Sequence, residues 1–396
     1  MSEKSPSGLL ILVLLTGIVI VGSNSFVLSP ILSDVAAALG TEPVVISRVI
    51  AIYGASTAVS AFFLSPLVDR IGARRMLVIA VSTMAVALGV SAFSQSWPVL
   101  ACAQSVAGIA AGVILPATYT TATASAPHGQ GTRVLSRVLS GWAISLVAGV
   151  PVSALLTDVL SWRAAYGGLA FLAIACLLGI ARQIGQDIRS GDARSFTPLQ
   201  ALRIPGVSAL LVICLCYMTA FYGTYAFFGE HLRNTLGLGA SGAGLAVLAY
   251  GAGFGLAGIV GGLVDRLGPA RVFPAALALV AVVYGILPIA MASYPGALIA
   301  AFAWGLANHY GVNILVLLLS ERQPSARGSI LGLHSTVTYA AVFAGPLGAG
   351  FIYIGHGFAA ICGVSLALLF FAAGIARVQR TSWEASSTRE DTGPAS

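Results

Sequence analysis

Of the 396 residues, 58% are hydrophobic and only 8% are charged, with a mean hydropathy of +0.94. A soluble domain carries about 25% charged residues, so this chain has too little polar surface to face water and reads as a membrane protein. Its net charge of +7 comes from dispersed arginines and a single lysine, Lys4, without any basic tract, which excludes a nucleic-acid groove.

A helical span needs about 20 apolar residues. Twelve such runs follow in order, at about 8–32, 44–67, 75–95, 98–120, 137–160, 164–182, 206–228, 242–264, 272–292, 297–319, 329–353 and 358–376. The fold expected is therefore an all-α membrane protein with twelve transmembrane helices in two six-helix bundles. The bundles take residues 1–182 and 206–378, with a cytoplasmic linker at 183–205 and a polar tail at 379–396 that reads as disordered. The first run follows Lys4 like a signal peptide but lacks a convincing cleavage site, so it reads as a retained span. All five cysteines fall inside apolar runs, without zinc-type spacing, and read as packing residues.

Arginine placement sets the orientation. With the N-terminus inside, 17 of the 20 basic residues fall on cytoplasmic segments, leaving Arg48, Arg163 and Arg233 toward the other side. The positive-inside rule then places both termini in the cytoplasm of a plasma-membrane protein.

The two halves repeat each other. Leu67-Val68-Asp69-Arg70-Ile71-Gly72-Ala73-Arg74-Arg75 returns as Leu263-Val264-Asp265-Arg266-Leu267-Gly268-Pro269-Ala270-Arg271, an offset of 196 between the aspartates. Tyr53-Gly54-Ala55 matches Tyr250-Gly251-Ala252 at 197, and Pro151 matches Pro346 at 195. Such drift is what duplication with small insertions leaves, and it makes the bundles pseudo-symmetric. The charged turn resembles the signature between the second and third spans of the major facilitator superfamily, with Ser65 in place of the leading glycine of the first copy. That resemblance implies rocking of two bundles around a midplane site. It also makes Asp69, Arg70, Gly72, Arg74, Arg75, Asp265, Arg266 and Gly268 candidate gate residues.

Substrate candidates come from polar or aromatic residues inside spans, where an unpartnered polar group is costly. Asn24 in span 1 and Gln104 in span 4 supply amides. The drug- and sugar-exporter branch that this chain resembles often carries an acid where Ser25 stands and an arginine where Gln104 stands. Gly149 and Pro151 in span 5 resemble that branch's exporter element and join the gate candidates. Tyr222 in span 7 and Tyr339 in span 11 offer aromatic walls. Span 10 contributes Trp304, Asn308, His309 and Asn313, with His309 near its centre and Asn313 one turn on.

For proton coupling the candidates are His309, whose unperturbed pKa of about 6.5 suits the task, and Asp34 with Arg48 at the outer end. Asp34 and Glu230 read as hydrated rim groups. No catalytic constellation, metal ligand set or cofactor is expected. The resemblance implies a monomeric carrier in the lipid bilayer that exports a small organic molecule, with protons as the counter-substrate. A facilitator or uptake carrier, and a transport-inactive sensor of the same fold, stay open as alternatives.

Overall fold

The computed structural model describes residues 8–127, 130–183, 198–257, 267–323 and 326–391. The N-terminal bundle contains α1 (Gly8–Phe26), α2 (Pro43–Ile71), α3 (Ala73–Phe93), α4 (Trp97–Ala124), α5 (Arg133–Val159) and α6 (Trp162–Gln183). The C-terminal bundle contains α7 (Val207–Leu236), α8 (Ala240–Ala257), α9 (Pro269–Ala290) and α10 (Tyr294–Glu321). A last continuous helix, Arg327–Asp391, completes it. Gly357 interrupts that helix with φ 73, so it counts as two spans, α11 at 327–356 and α12 at 358–391. Twelve transmembrane helices in two bundles result. Most of the linker, residues 184–197, lies outside the described residues.

The tail departs from the expected disorder, because α12 stays helical to Asp391. Trp383 is the physical reason. Its side chain is 1% exposed and its ring centroid lies 6.3 Å from that of Phe273 on α9, so this part of the tail has an apolar anchor.

Glycines let helix backbones touch, and they do so at matching places in both halves. A Cβ on Gly108 of α4 would meet the Tyr53 carbonyl of α2, and one on Gly305 of α10 would meet the Tyr250 carbonyl of α8. Gly149 of α5 lies against Ser23 of α1, as Gly345 of α11 lies against the Thr219 carbonyl of α7. These contacts weld each bundle internally. Gly54 of α2 instead faces Val342 of α11, and Gly251 of α8 faces Leu146 of α5. The Tyr-Gly-Ala repeat is thereby explained: its tyrosine carbonyl receives a helix of its own bundle, and its glycine receives one from the other.

Helix α5 changes pitch at Ser145–Gly149, a π-helical turn immediately before Pro151. Proline supplies no N–H and its ring crowds the preceding turn, so a wider turn there accommodates both.

Candidate functional site

Helices α2 with α11, α5 with α8 and α1 with α7 form the boundary between the bundles. Its polar bonds gather at the end opposite the termini. Past α1, the short helix Leu32–Ala38 carries Asp34, which pairs with Arg233 of α7 through both carboxylate oxygens, one at 3.0 Å. Arg233 also donates to the Pro30 carbonyl at 3.0 Å, and Ser33 donates to Glu230. Asp158, at the end of α5, accepts the backbone N–H groups of Ala240 and Ser241 at 2.8 Å each, capping α8 of the opposite bundle. Tyr225 donates to the Phe26 carbonyl at 3.3 Å. The bundles are thus closed at this end.

Beneath the closure lies an aromatic girdle built by both halves. Phe26 of α1 stacks on Tyr222 of α7 with ring centroids 6.0 Å apart and planes within 8°. It also meets Trp142, Phe221 and Tyr225 edge-on at 6.3, 6.2 and 5.1 Å. Tyr339 of α11 lies within electrostatic reach of Tyr53, Tyr119 and Tyr222, so phenols from α2, α4, α7 and α11 converge there. None of these side chains carries a charge at neutral pH. Such a wall offers ring faces and hydroxyl groups, and it suits an uncharged ligand with an aromatic part.

Of the expected substrate residues, Tyr222 belongs to this girdle with Tyr339 in its electrostatic range, and Trp304 reaches it through Phe221. Asn24 donates to Gln104 at 2.9 Å, and Gln104 donates to Ser91 at 3.0 Å, a buried chain tying α1, α4 and α3 within the N-terminal bundle. Asn308 accepts from Tyr217 at 2.7 Å and donates to Tyr250 at 3.1 Å, binding α7, α10 and α8. Trp304 is fully buried, with Tyr250 at 5.1 Å and Phe221 at 5.5 Å. Asn313 is exposed and its amide returns to the His309 carbonyl of its own helix, so it does not join the His309 ring.

His309 is half-buried in the seam between α8 and α10, with its ring 5.0 Å from Phe254 and 5.8 Å from Tyr310. The matching position of the N-terminal half is Gly112, whose Cβ would press on the Thr57 carbonyl and Ala61 nitrogen of α2 at 2.8 Å each. His309 therefore fills a seam that glycine closes in the other half.

Two expectations about the outer charges need correction. Asp34 pairs with Arg233 and not with Arg48, which is exposed on α2 beside a shallow groove with Leu347 and Phe351. Glu230 is not a hydrated rim group. It is 4% exposed and accepts from Ser33 and from Asn234, the latter at 2.9 Å. Burial of this carboxylate is tolerable because both oxygens are bonded.

At the charged turn, Gly72 has φ 108 between α2 and α3, and Gly268 has φ 83 before α9, so each reverses the chain in a conformation closed to most side chains. Arg70 and Arg75 are exposed. Asp265 and Arg266 lie outside the described residues, and of Asp69 only the helical backbone is described. Gly149 and Pro151 belong to the α5 bend: Gly149 packs on α1, and Pro151 lies 3.4 Å from a Cβ built on Gly244 of α8. Sequence reasoning missed Phe26, Tyr53, Tyr119 and Trp142, because a single aromatic in an apolar span looks the same whether it lines a cavity or fills a core.

Known proteins place this architecture. The family model of the Major Facilitator Superfamily matches residues 14–346 and 210–394. An uncharacterized MFS-type transporter, YwfA, from Bacillus subtilis (strain 168) is 30% identical over 360 residues, which cover 89% of this chain and 87% of the relative. A chloramphenicol resistance protein from Streptomyces lividans is 28% identical over 260 residues, 64% of this chain and 66% of that protein. The crystal structure of the human organic anion transporter MFSD10 (TETRAN) shares the fold, with a TM-score of 0.69 at 16% identity over 94% of this chain and all of that one. With its fold, its duplicated charged turn and its match across both halves, this chain belongs to the major facilitator superfamily of membrane transporters.

Proposed function

We propose that this transporter exports a small, uncharged, ring-bearing organic molecule across the plasma membrane in exchange for protons, by rocking its bundles about the aromatic girdle. The observation that carries the reading is the girdle itself, since Phe26 and Trp142 from one bundle meet Phe221 and Tyr222 from the other, with Tyr339 within electrostatic reach and no charged side chain among them. Placing both termini in the cytoplasm, as the arginines suggest, makes the closed end external. The similarity to a resistance protein makes chloramphenicol, a neutral aromatic amide, the first probe.

Everted membrane vesicles acidified inside should accumulate labelled chloramphenicol or another neutral aromatic compound. Accumulation should collapse when the pH gradient is dissipated. Uphill accumulation in right-side-out vesicles would make the protein an uptake carrier. Equilibration indifferent to the gradient would support a facilitator, a reading favoured by the neutral Ser25–Tyr53 bond and the neutral Asn24–Gln104–Ser91 chain. Absence of any flux across a panel of such compounds would leave a transport-inactive sensor.

A further inference from the structure

Carboxylates are scarce in this chain, yet three of them meet at one place. Asp34, Asp158 and Glu230 all bond across the boundary between the bundles, and all at the end opposite the termini. Each makes a different kind of bond. Asp34 forms the ion pair with Arg233, Asp158 caps the first N–H groups of α8, and Glu230 accepts the Ser33 hydroxyl. Resting on the reading of this chain as an alternating-access carrier, we propose that this cluster is a proton-binding site. Protonation of Asp34 and Asp158 releases the bonds that hold the far end shut.

The direction of the effect follows from the bonding. An ionised carboxylate accepts through both oxygens, whereas a protonated one loses the charge that strengthens each bond. Protonated Asp34 no longer neutralises Arg233, which stays charged at any working pH. Protonated Asp158 loses its attraction for the positive end of α8, where its two acceptor oxygens now sit. Both changes weaken bonds that exist only while the bundles touch. Gly229 shows how close that touch is, since its Cβ would lie 2.7 Å from the Ser29 carbonyl and 2.8 Å from Pro30. Small losses at such an interface shift a two-state equilibrium instead of deforming the protein gradually.

The surrounding charges bear on the argument. On α7, Arg233 is within electrostatic range of Glu230 and Asp158 as well as Asp34. His231 turns toward α12, its ring stacked 4.6 Å from that of Phe358. Glu42, just before α2, and Arg48 on it are both exposed. Arg163, at the start of α6, sits over Trp162 and donates to the Ser94 carbonyl at 3.0 Å. One cation thus serves three carboxylates, so protonation also relieves repulsion among them. The direct Asp34–Arg233 pair and the two N–H bonds to Asp158 are contact interactions, while the repulsion acts through a part-hydrated rim, and the contact losses dominate.

The test measures opening without any substrate. Spin labels at Ala38→Cys and Thr235→Cys, on a background with the five native cysteines replaced, report the separation of the bundles in lipid nanodiscs. Acidification should raise the share of the longer distance. Asp34→Asn should show that longer distance already at neutral pH, with the open-to-closed ratio moved on the order of tenfold, and should lose most of the pH response. Asp158→Asn should move the ratio in the same direction. The exchanged pair Asp34→Arg with Arg233→Asp should restore closure at neutral pH, which a variant that is merely misfolded cannot do. A distance that is constant or shorter in acid, or an Asp34→Asn response equal to that of the unmodified protein, overturns the proposal. Because no substrate is present, a failed export assay leaves this result standing. Gradient-driven export combined with a pH-independent distance places the proton elsewhere.

Discussion

Asn308 offers a quantitative check on the interior of the C-terminal bundle. Replacement by alanine removes the 2.7 Å bond from Tyr217 and the 3.1 Å bond to Tyr250. Tyr217 keeps a second acceptor, the main-chain carbonyl of residue 308 at 3.1 Å, so its loss is partial. Tyr250, 3% exposed, has its hydroxyl bonded by the Asn308 amide and is stranded once that amide is gone. An interhelical bond in a membrane contributes about 0.6 kcal/mol on average and up to about 1.7. Stranding a buried hydroxyl costs about 1–3 kcal/mol more. Asn308→Ala should therefore destabilise the fold by about 2–4 kcal/mol, measured by reversible unfolding in mixed micelles. In a Tyr250→Phe background nothing is stranded, and the same replacement should cost at least about 1 kcal/mol less. Equal costs in both backgrounds, or a total below about 0.5 kcal/mol, would refute the assignment of Asn308 as the tie between α7, α8 and α10.

Phe26→Ala and Tyr222→Ala should each raise the half-saturating concentration for export about tenfold, the scale of one aromatic contact, in protein that still folds and reaches the membrane. Unaltered transport in both would move the substrate away from the girdle. Gly72→Val should slow transport through the strain of a β-branched residue at φ 108, even in protein that reaches the membrane at normal levels. Reporter fusions after Gln186 and after Ser396 should read cytoplasmic and one after Arg163 external; an external C-terminus would reverse the assignment of the closed end. His309→Gln should leave gradient-driven export intact if the proton binds at the far end, and loss of uphill transport alone in that variant would return the coupling role to the α8–α10 seam.

The span count, the duplication and the glycine turns were legible because each depends on local pattern: apolar length, a repeated string and a residue able to take positive φ. The site was only partly legible. Span membership does not tell which side of a helix faces the partner bundle, so it could not show that Trp304 and Asn308 tie α10 to its own neighbours. Asp34 found Arg233 across 199 residues of chain, a pairing set by bundle contact and invisible to local spacing. The internal repeat did hold a clue that was not used. Tyr53 and Tyr250 occupy equivalent places, so a residue important in one half nominated its counterpart in the other.

Gly112 and His309 occupy equivalent positions, but they fill the two seams in different ways. Where α2 meets α4, backbone rests on backbone, and there is little between them to rearrange. Where α8 meets α10, the same level is filled by the rings of Phe254, His309 and Tyr310, and rings can change rotamer without parting the helices. A duplicated carrier need not share its motion equally between its copies. Here the copies part company at one level, with glycine against backbone in the N-terminal bundle and three packed rings in the C-terminal one.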